Sequence, residues 1–319
     1  MNIAVTGSTG LVGSALVPFF RNRGHHVLRI VRSADGLARE DVAWDPNTER
    51  IDAGRLEALD AVVHLAGENV AARRWDARQK ERIRASRVQG TGLLCKTLAT
   101  LRQPPGAIAS ASAIGFYGDR GEQELDEESP SGNGFLPEVC RAWEAATKPA
   151  TEAGIRVVHV RFGIILSPKA GALSKMLKPF RLGLGGRIGS GRQWMSWIAL
   201  DDVLGCIDHV IGKNSLCGPV NAVTPNPVTN RDFTRTLGRI LRRPTLLPIP
   251  RFMARLAFGE MADELLMAST RVVPRALRDS NYLYLHADLE GALRHLLGKD
   301  RAVHAPLAAM FTEADADGQ

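Results

Sequence analysis

Ile3-Ala4-Val5-Thr6-Gly7-Ser8-Thr9-Gly10-Leu11-Val12-Gly13 is a short apolar run that empties into a glycine loop. Gly7, Gly10 and Gly13 stand at GxxGxxG spacing. An apolar helical pattern then runs to Arg23, with Gly24 placed to cap it, and residues 26–32 read as a second strand. Strand, glycine loop, helix and strand within about thirty residues make one βαβ unit. A chain leaving a strand in this way turns sharply and lets a pyrophosphate approach the backbone. The free N–H groups of the following helix then point at the anion. The stretch predicts a dinucleotide site cradled by Gly7, Thr9, Gly10, Leu11 and Val12. A tight βα turn with no ligand is the plainer alternative.

The alternation continues outward from this unit. Residues 61–65 read as a strand, 76–101 as a long basic helix, 107–111 as a strand, 136–153 as a helix and 156–162 as a strand. Regular β/α alternation predicts an α/β fold, a Rossmann-like doubly wound parallel sheet over residues 1–165. Beyond it the texture changes. Residues 182–193 are Gly-rich, Asp201-Asp202 opens a helix, and 214–227 are rich in turn residues. The rest is helical between Pro244, Pro248, Pro250 and Pro274. Residues 166–319 are therefore expected to form a smaller C-terminal substrate-side lobe, mostly helical at its end and able to return strands to the main sheet.

The chain has 319 residues, 45% hydrophobic and 24% charged, which suits one large domain or two interleaved ones. An excess of 41 Lys and Arg over 34 Asp and Glu gives a net charge of +7 and suits an anionic ligand. No RNP-type aromatic cluster, zinc-finger spacing or basic tail accompanies it, so the expected anion is a phosphorylated cofactor and not nucleic acid. Cys95, Cys140, Cys206 and Cys217 form no CxxC pair and no metal-ligand spacing, which predicts reduced thiols, no metal and a cytoplasmic protein. Residues 2–20 carry no charge, yet Gly, Ser, Thr and Pro18 interrupt them and no basic leader precedes them. Neither a signal peptide nor a membrane span is expected. The partner is a small molecule, and the protein a monomer or homodimer.

The end of the second strand chooses between cofactors. An acid there binds the ribose 2′-hydroxyl of NAD, whereas a cation receives the 2′-phosphate of NADP. Arg32 offers a charge-assisted fork and Ser33 a small donor, favouring NADP(H). Asp35 keeps NAD(H) as the alternative. After Asp60 and the 61–65 strand, Leu65, Ala66 and Gly67 form a small exit against which cofactor can lie, with His64 read as a core residue.

These motifs resemble the extended short-chain dehydrogenase/reductase superfamily, the NAD-dependent epimerase/dehydratase group. The resemblance rests on Gly7 to Gly13, Asp60…His64-Leu65-Ala66-Gly67, Gly90-Thr91, Ser110-Ala111-Ser112…Tyr117-Gly118 and Asp201-Asp202. Arg73-Arg74-Trp75, Ser86-Arg87-Val88, Trp143-Glu144, Gly185-Gly186…Gly189-Ser190-Gly191, Trp197-Ile198 and a helical extension over 250–297 make it similar to the uncharacterised "epimerase family protein" subgroup.

The resemblance implies catalysis by a Ser and a YxxxK pair, with Tyr as acid/base one helical turn from Lys. The chain has only Tyr117, Tyr282 and Tyr284, and the residues four places on are Gly121, His286 and Asp288. No YxxxK exists. Alignment on Trp143-Glu144 puts Leu136 at the Tyr position and Cys140 at the Lys position. Ser112 stands at the catalytic Ser, with Gly115 as one extra residue, and Arg87 replaces an upstream Asn. The remaining chemistry-bearing residues are Ser112, Tyr117 as a phenol donor and Cys140 as a thiolate candidate. Arg87 and Arg161 are expected near the cofactor. Met195 falls where sugar-nucleotide epimerases carry a diphosphate-binding Arg, so an NDP-sugar is not the expected substrate; Trp194, Met195 and Trp197 suit a less polar ligand or core packing. The acidic stretch 122–128 reads as a solvated loop or a lid. Two functions remain, an NADP(H)-dependent oxidoreductase or epimerase-like enzyme with non-standard residues, and a non-catalytic NADP(H) sensor.

Overall fold

The computed structural model describes residues 1–32, 37, 38 and 40–299; Ser33 and Asp35 lie outside the described residues. Its strands begin with Asn2–Thr6 (β1), His26–Val31 (β2), Asp41–Asp45 (β3), Arg50–Ile51 (β4), Ala61–His64 (β5), Ala107–Ala113 (β6) and Glu124–Leu125 (β7). They continue with Arg156–Phe162 (β8), Ile164–Leu166 (β9), Trp194–Met195 (β10), Trp197–Ala199 (β11), Gly218–Ala222 (β12), Val228–Thr229 (β13) and Arg271–Val272 (β14). The helices are Gly13–Asn22 (α1), Ala77–Ala99 (α2), Phe135–Ala145 (α3), Lys148–Glu152 (α4) and Gly171–Arg181 (α5). After them come Leu200–Gly212 (α6), Asn230–Leu241 (α7), Arg251–Phe258 (α8), Arg275–Asp279 (α9) and Leu289–Leu296 (α10).

Eight strands form one sheet in the order β12-β8-β6-β5-β1-β2-β3-β4, parallel except for β4. Parallel strands are covered on both faces and read as continuous apolar runs, as Ile3, Ala4 and Val5 or Ala61, Val62 and Val63 do. Leu16 and Phe20 of α1 pack with Val203, Ile207 and Val210 of α6 over one face. Leu94 and Leu98 of α2 cover the other, with Trp44 and Ala150. The strand order reverses between β1 and β5, and the crevice at that switch point is where such sheets take ligands.

Four elements differ from the sequence expectation. β3 arises where Val42 and Trp44 alternate inward while Asp41 accepts two hydrogen bonds from Arg29 at 2.7 Å. The expected 136–153 helix divides into α3 and α4, because Pro149 has no N–H to bond back to the preceding turn. The acidic stretch exposes Glu122, Glu124 and Glu128 as a solvated loop would, but it is tied down and is no free lid. Leu125 is fully buried, β7 pairs in parallel with β14, and Arg271 and Arg275 hold Glu124, Asp126 and Glu128. β12 comes from residues rich in turn formers; only Val220 and Ala222 give it an apolar register beside β8.

Past the sheet, α5, α7 and α10 share a second core around Leu177, Phe180, Trp197, Phe233, Leu237 and Leu293. Met195 and Trp197 belong to this core, and the Met195 sulfur accepts from Asn230 Nδ2 at 3.5 Å. No helix among the described residues is long and apolar enough to cross a membrane.

Candidate functional site

The glycine loop is built by close backbone approach. Gly7 has φ +64°, a region open to glycine, and a Cβ there would sit 2.8 Å from the Leu65 carbonyl carbon. A Cβ on Gly13 would lie 2.2 Å from the Gly7 carbonyl oxygen, so the helix can begin this near the strand only as glycine. Gly10 differs: a Cβ there would meet the Gly7 carbonyl oxygen alone, at 3.3 Å, leaving its outer face open. A cleft of about 290 Å³ opens beside it, lined by Thr9, Gly10, Leu11, Ser14, Lys169 and Leu200 among others. Ser8 Oγ, buried in the loop, has no hydrogen-bond partner among the described residues. Lys169 is exposed beside the loop; nothing in the sequence pattern marked it, since it approaches only through the turn after β9.

Beneath the loop, a chain of polar contacts ties β1, β5 and α2 together. Thr6 Oγ1 accepts the Leu65 and Ala66 N–H groups at 3.0 and 3.1 Å. Its own proton therefore goes to His64 Nδ1, 2.8 Å away. His64 then carries its proton on Nε2 and donates to Thr91 Oγ1 at 2.9 Å, which also accepts from Trp143 Nε1 at 2.9 Å. His64 is fully buried, and burial lowers its pKa to about 4. It is a core residue. Leu65 and Ala66 are half-buried and Gly67 exposed at the exit of β5. Arg32, at the end of β2, is exposed and makes no ion pair with a described residue.

A second cluster lies at the C-terminal ends of β6 and β8. Ser112 Oγ donates to Glu144 Oε1 at 2.7 Å. Arg161 grips the same carboxylate with Nε and Nη2, each at 2.8 Å, and donates from Nη1 to the Tyr117 oxygen at 2.9 Å. Its guanidinium also stacks 3.6 Å from the Phe116 ring centroid. Arg161 was expected on the cofactor, but its fork is spent on Glu144 and Tyr117. Glu144 was missed as a site residue; it follows Cys140 by one helical turn on the same face, a spacing that carried the signal.

Tyr117 is fully buried and donates to Asn221 Oδ1 at 2.8 Å. Burial raises its pKa to about 12, with Arg161 opposing. A phenol so placed holds β12 to the sheet and stays protonated near neutral pH. Cys140 is buried too; burial and then the Glu144 charge push its thiol to about 12 against the pull of Arg87 and Arg161. It stays a neutral thiol, 3.8 Å from the Ala113 carbonyl oxygen. The space of the absent Tyr and Lys is filled: a Cβ on Gly115, the extra residue, would touch Leu136 Cβ at 3.3 Å and Cys140 Sγ at 4.0 Å. Arg87 bridges the two clusters. Its Nη1 donates to the Glu68 and Ile83 carbonyls at 3.0 Å, and its guanidinium lies against Gly67 and 4.9 Å from the Trp143 ring centroid. Burial lowers its pKa.

A model of the NAD dependent epimerase/dehydratase family matches residues 3–221, more than half of the chain. The chain belongs to the NAD dependent epimerase/dehydratase family. A second model, a domain of unknown function (DUF1731), matches residues 249–296, which include α8, α9 and α10. Within the family, the chain is 43% identical to the epimerase family protein MT2273 of Mycobacterium tuberculosis, over 91% of this chain and 96% of that one. A crystal structure of the human epimerase family protein SDR39U1 with NADPH is similar at 34% identity and TM-score 0.86, covering 93% of this chain and 99% of that one. A Corynebacterium glutamicum protein described as a nucleoside-diphosphate sugar epimerase is 38% identical with TM-score 0.79; the match covers 95% of this chain and 59% of that longer one.

Proposed function

We propose that this epimerase-family chain binds NADP(H) across the glycine loop and transfers a hydride to or from an oxygen-bearing small molecule, using Ser112 and Glu144 where relatives of the superfamily use Tyr and Lys. The cradle fits the cofactor. Gly10 has an open face, Ser8 Oγ is an unused buried hydroxyl, and exposed Arg32 offers a fork for a 2′-phosphate. The NADPH complex of the human relative supports NADP(H) over NAD(H). Four free cysteines suit a reducing, cytoplasmic setting.

The observation that carries the catalytic reading is the hydrogen bond from Ser112 to Glu144, with Arg161 fixing the carboxylate. A hydroxyl that donates to a carboxylate presents its lone pairs to a substrate alcohol. As the alcohol O–H passes its proton to Ser112 Oγ, Ser112 passes its own to Glu144, whose side chain is 12% exposed and can return it to solvent. Held by the glycine loop, NADP+ would supply a hydride acceptor for the carbon that bears the alcohol oxygen, and NADPH a hydride donor in reverse. With Met195 in the core instead of a cation facing the cleft, nothing at that position favours an NDP-sugar.

The second reading is a cofactor-holding sensor. Ser112 is only 2% exposed, and Leu136, Cys140 and Gly115 fill the old acid/base position by packing. The two are separated by incubating the protein with NADPH deuterated at C4 on either face and a panel of aldehydes and ketones. Label should reach a product, and Ser112→Ala, which keeps the Glu144–Arg161 pair, should lower the rate by at least about 100-fold with NADPH affinity unchanged. Tight NADPH binding with no label transferred by the wild-type chain establishes the sensor reading instead.

A further inference from the structure

Three side chains of metal-ligating types converge where the DUF1731 region meets the sheet domain. Asp201 lies in the first turn of α6, His286 in the segment leading to α10, and His295 in the last turn of α10. Asp201 Oδ2 is 2.9 Å from His295 Nε2 and 3.9 Å from His286 Nε2. All three ligand atoms fall within 4.8 Å of one another. The imidazole rings stack with centroids 4.3 Å apart and planes 27° from parallel.

The backbone beneath the group is fixed independently. The neighbouring Asp202 is buried and accepts the Leu285 and His286 N–H groups at 2.7 and 2.9 Å. Asp288 caps α10 by accepting the Gly291 N–H at 2.9 Å. Asp201 is 40% exposed, His286 17% and His295 45%. His295 is within hydrogen-bond reach of the Asp201 carboxylate, whereas His286, at 3.9 Å, is near enough for an ion pair when protonated but too far for a hydrogen bond.

We propose that Asp201, His286 and His295 bind a divalent first-row transition ion of the Zn²⁺ type, which fastens α10 to the start of α6. Two imidazole nitrogens and one carboxylate oxygen suit Zn²⁺ and its neighbours better than Mg²⁺ or Ca²⁺, with water completing the shell. Bond lengths of about 2.0–2.2 Å to a tetrahedral ion place ligand atoms about 3.3 Å apart. The two separations from Asp201 Oδ2, 2.9 and 3.9 Å, lie on either side of that value, so small side-chain shifts reach it while Asp202 holds the backbone. Asp201 directly follows Leu200, which lines the cleft beside the glycine loop.

The test uses the full chain without an affinity tag, in a Cys217→Ser background because Cys217 is exposed. Zn²⁺ is titrated calorimetrically, Co²⁺ is followed by visible absorption, and Tm is read with and without Zn²⁺. The proposal expects one Zn²⁺ per chain, a Co²⁺ spectrum of nitrogen and oxygen ligands, and a Zn²⁺-dependent rise in Tm. His286→Ala should weaken Zn²⁺ binding by at least about tenfold and abolish the rise in Tm. His295→Ala, at a more exposed position, carries the same test should His286→Ala fail to fold. Equal Zn²⁺ affinity in wild type and His295→Ala, or no stoichiometric binding by the wild type, overturns the proposal.

Discussion

With Thr6 donating to Nδ1 and Thr91 accepting from Nε2, His64 is held as a neutral ring whose pKa falls from 6.5 to about 4 on folding. Between those two values the unfolded chain binds more protons than the native one, so stability falls as pH drops through that window. The shift corresponds to about 3 kcal/mol, fully present above 6.5 and lost by about 4. Urea unfolding across this range should show the decline, and a His64→Gln variant a shallower slope; an equal slope in the variant would remove His64 from the account. Cys140 gives a second test. Lys placed there would bury an ammonium that feels Arg87 and Arg161 as like charges, while the nearby Glu144 carboxylate is already held by Arg161. Leu136→Tyr with Cys140→Lys should therefore lower Tm and restore no activity. A double variant as stable as wild type, with new turnover, would show that the pocket still accepts the old pair. The sequence already showed the pair to be missing. What it left unread was the replacement, because the Ser112–Glu144–Arg161 contact joins residues from two strands and a helix.

Gly13 anchors the start of α1, and the 2.2 Å approach to the Gly7 carbonyl oxygen is backbone against backbone, so neither side can yield as a flexible side chain would. Gly13→Ala should cost about 1–3 kcal/mol of stability and eliminate NADPH binding; near-normal affinity by fluorescence titration would mean the loop tolerates displacement. This loop was readable because its information is local: glycine spacing, a preceding apolar run and a following helix. β12 and the β7–β14 pair were not, because their strand character comes from partners distant in sequence. Val220 and Ala222 are apolar at alternate positions beside β8, but Gly218, Pro219 and Asn221 disguise the strand as a turn. Asn221 accepts from Tyr117 there, so one misread element also hid why that phenol is buried.

Across the molecule, one sheet reaching from residue 2 to residue 222 carries the glycine loop and the Ser112–Glu144–Arg161 cluster at its C-terminal edge. The later helices pack on a separate core and close back through β14 onto β7. Net charge and composition pointed toward a phosphorylated ligand class as an expectation, but gave no position for the cations. The fold puts Arg161 on Glu144, Arg87 under Gly67 and Arg32 in the open at the end of β2. The central claim, that this family member holds NADP(H) through the glycine loop and reads its 2′-phosphate with Arg32, is tested by titrating the full chain with NADPH and NADH and repeating both with Arg32→Ala. A charge-assisted hydrogen bond of about 1.5–3 kcal/mol predicts NADPH binding at least about tenfold tighter than NADH, with the preference lost in Arg32→Ala. Equal affinity for the two cofactors in the wild type, or an undiminished preference in the variant, would contradict it.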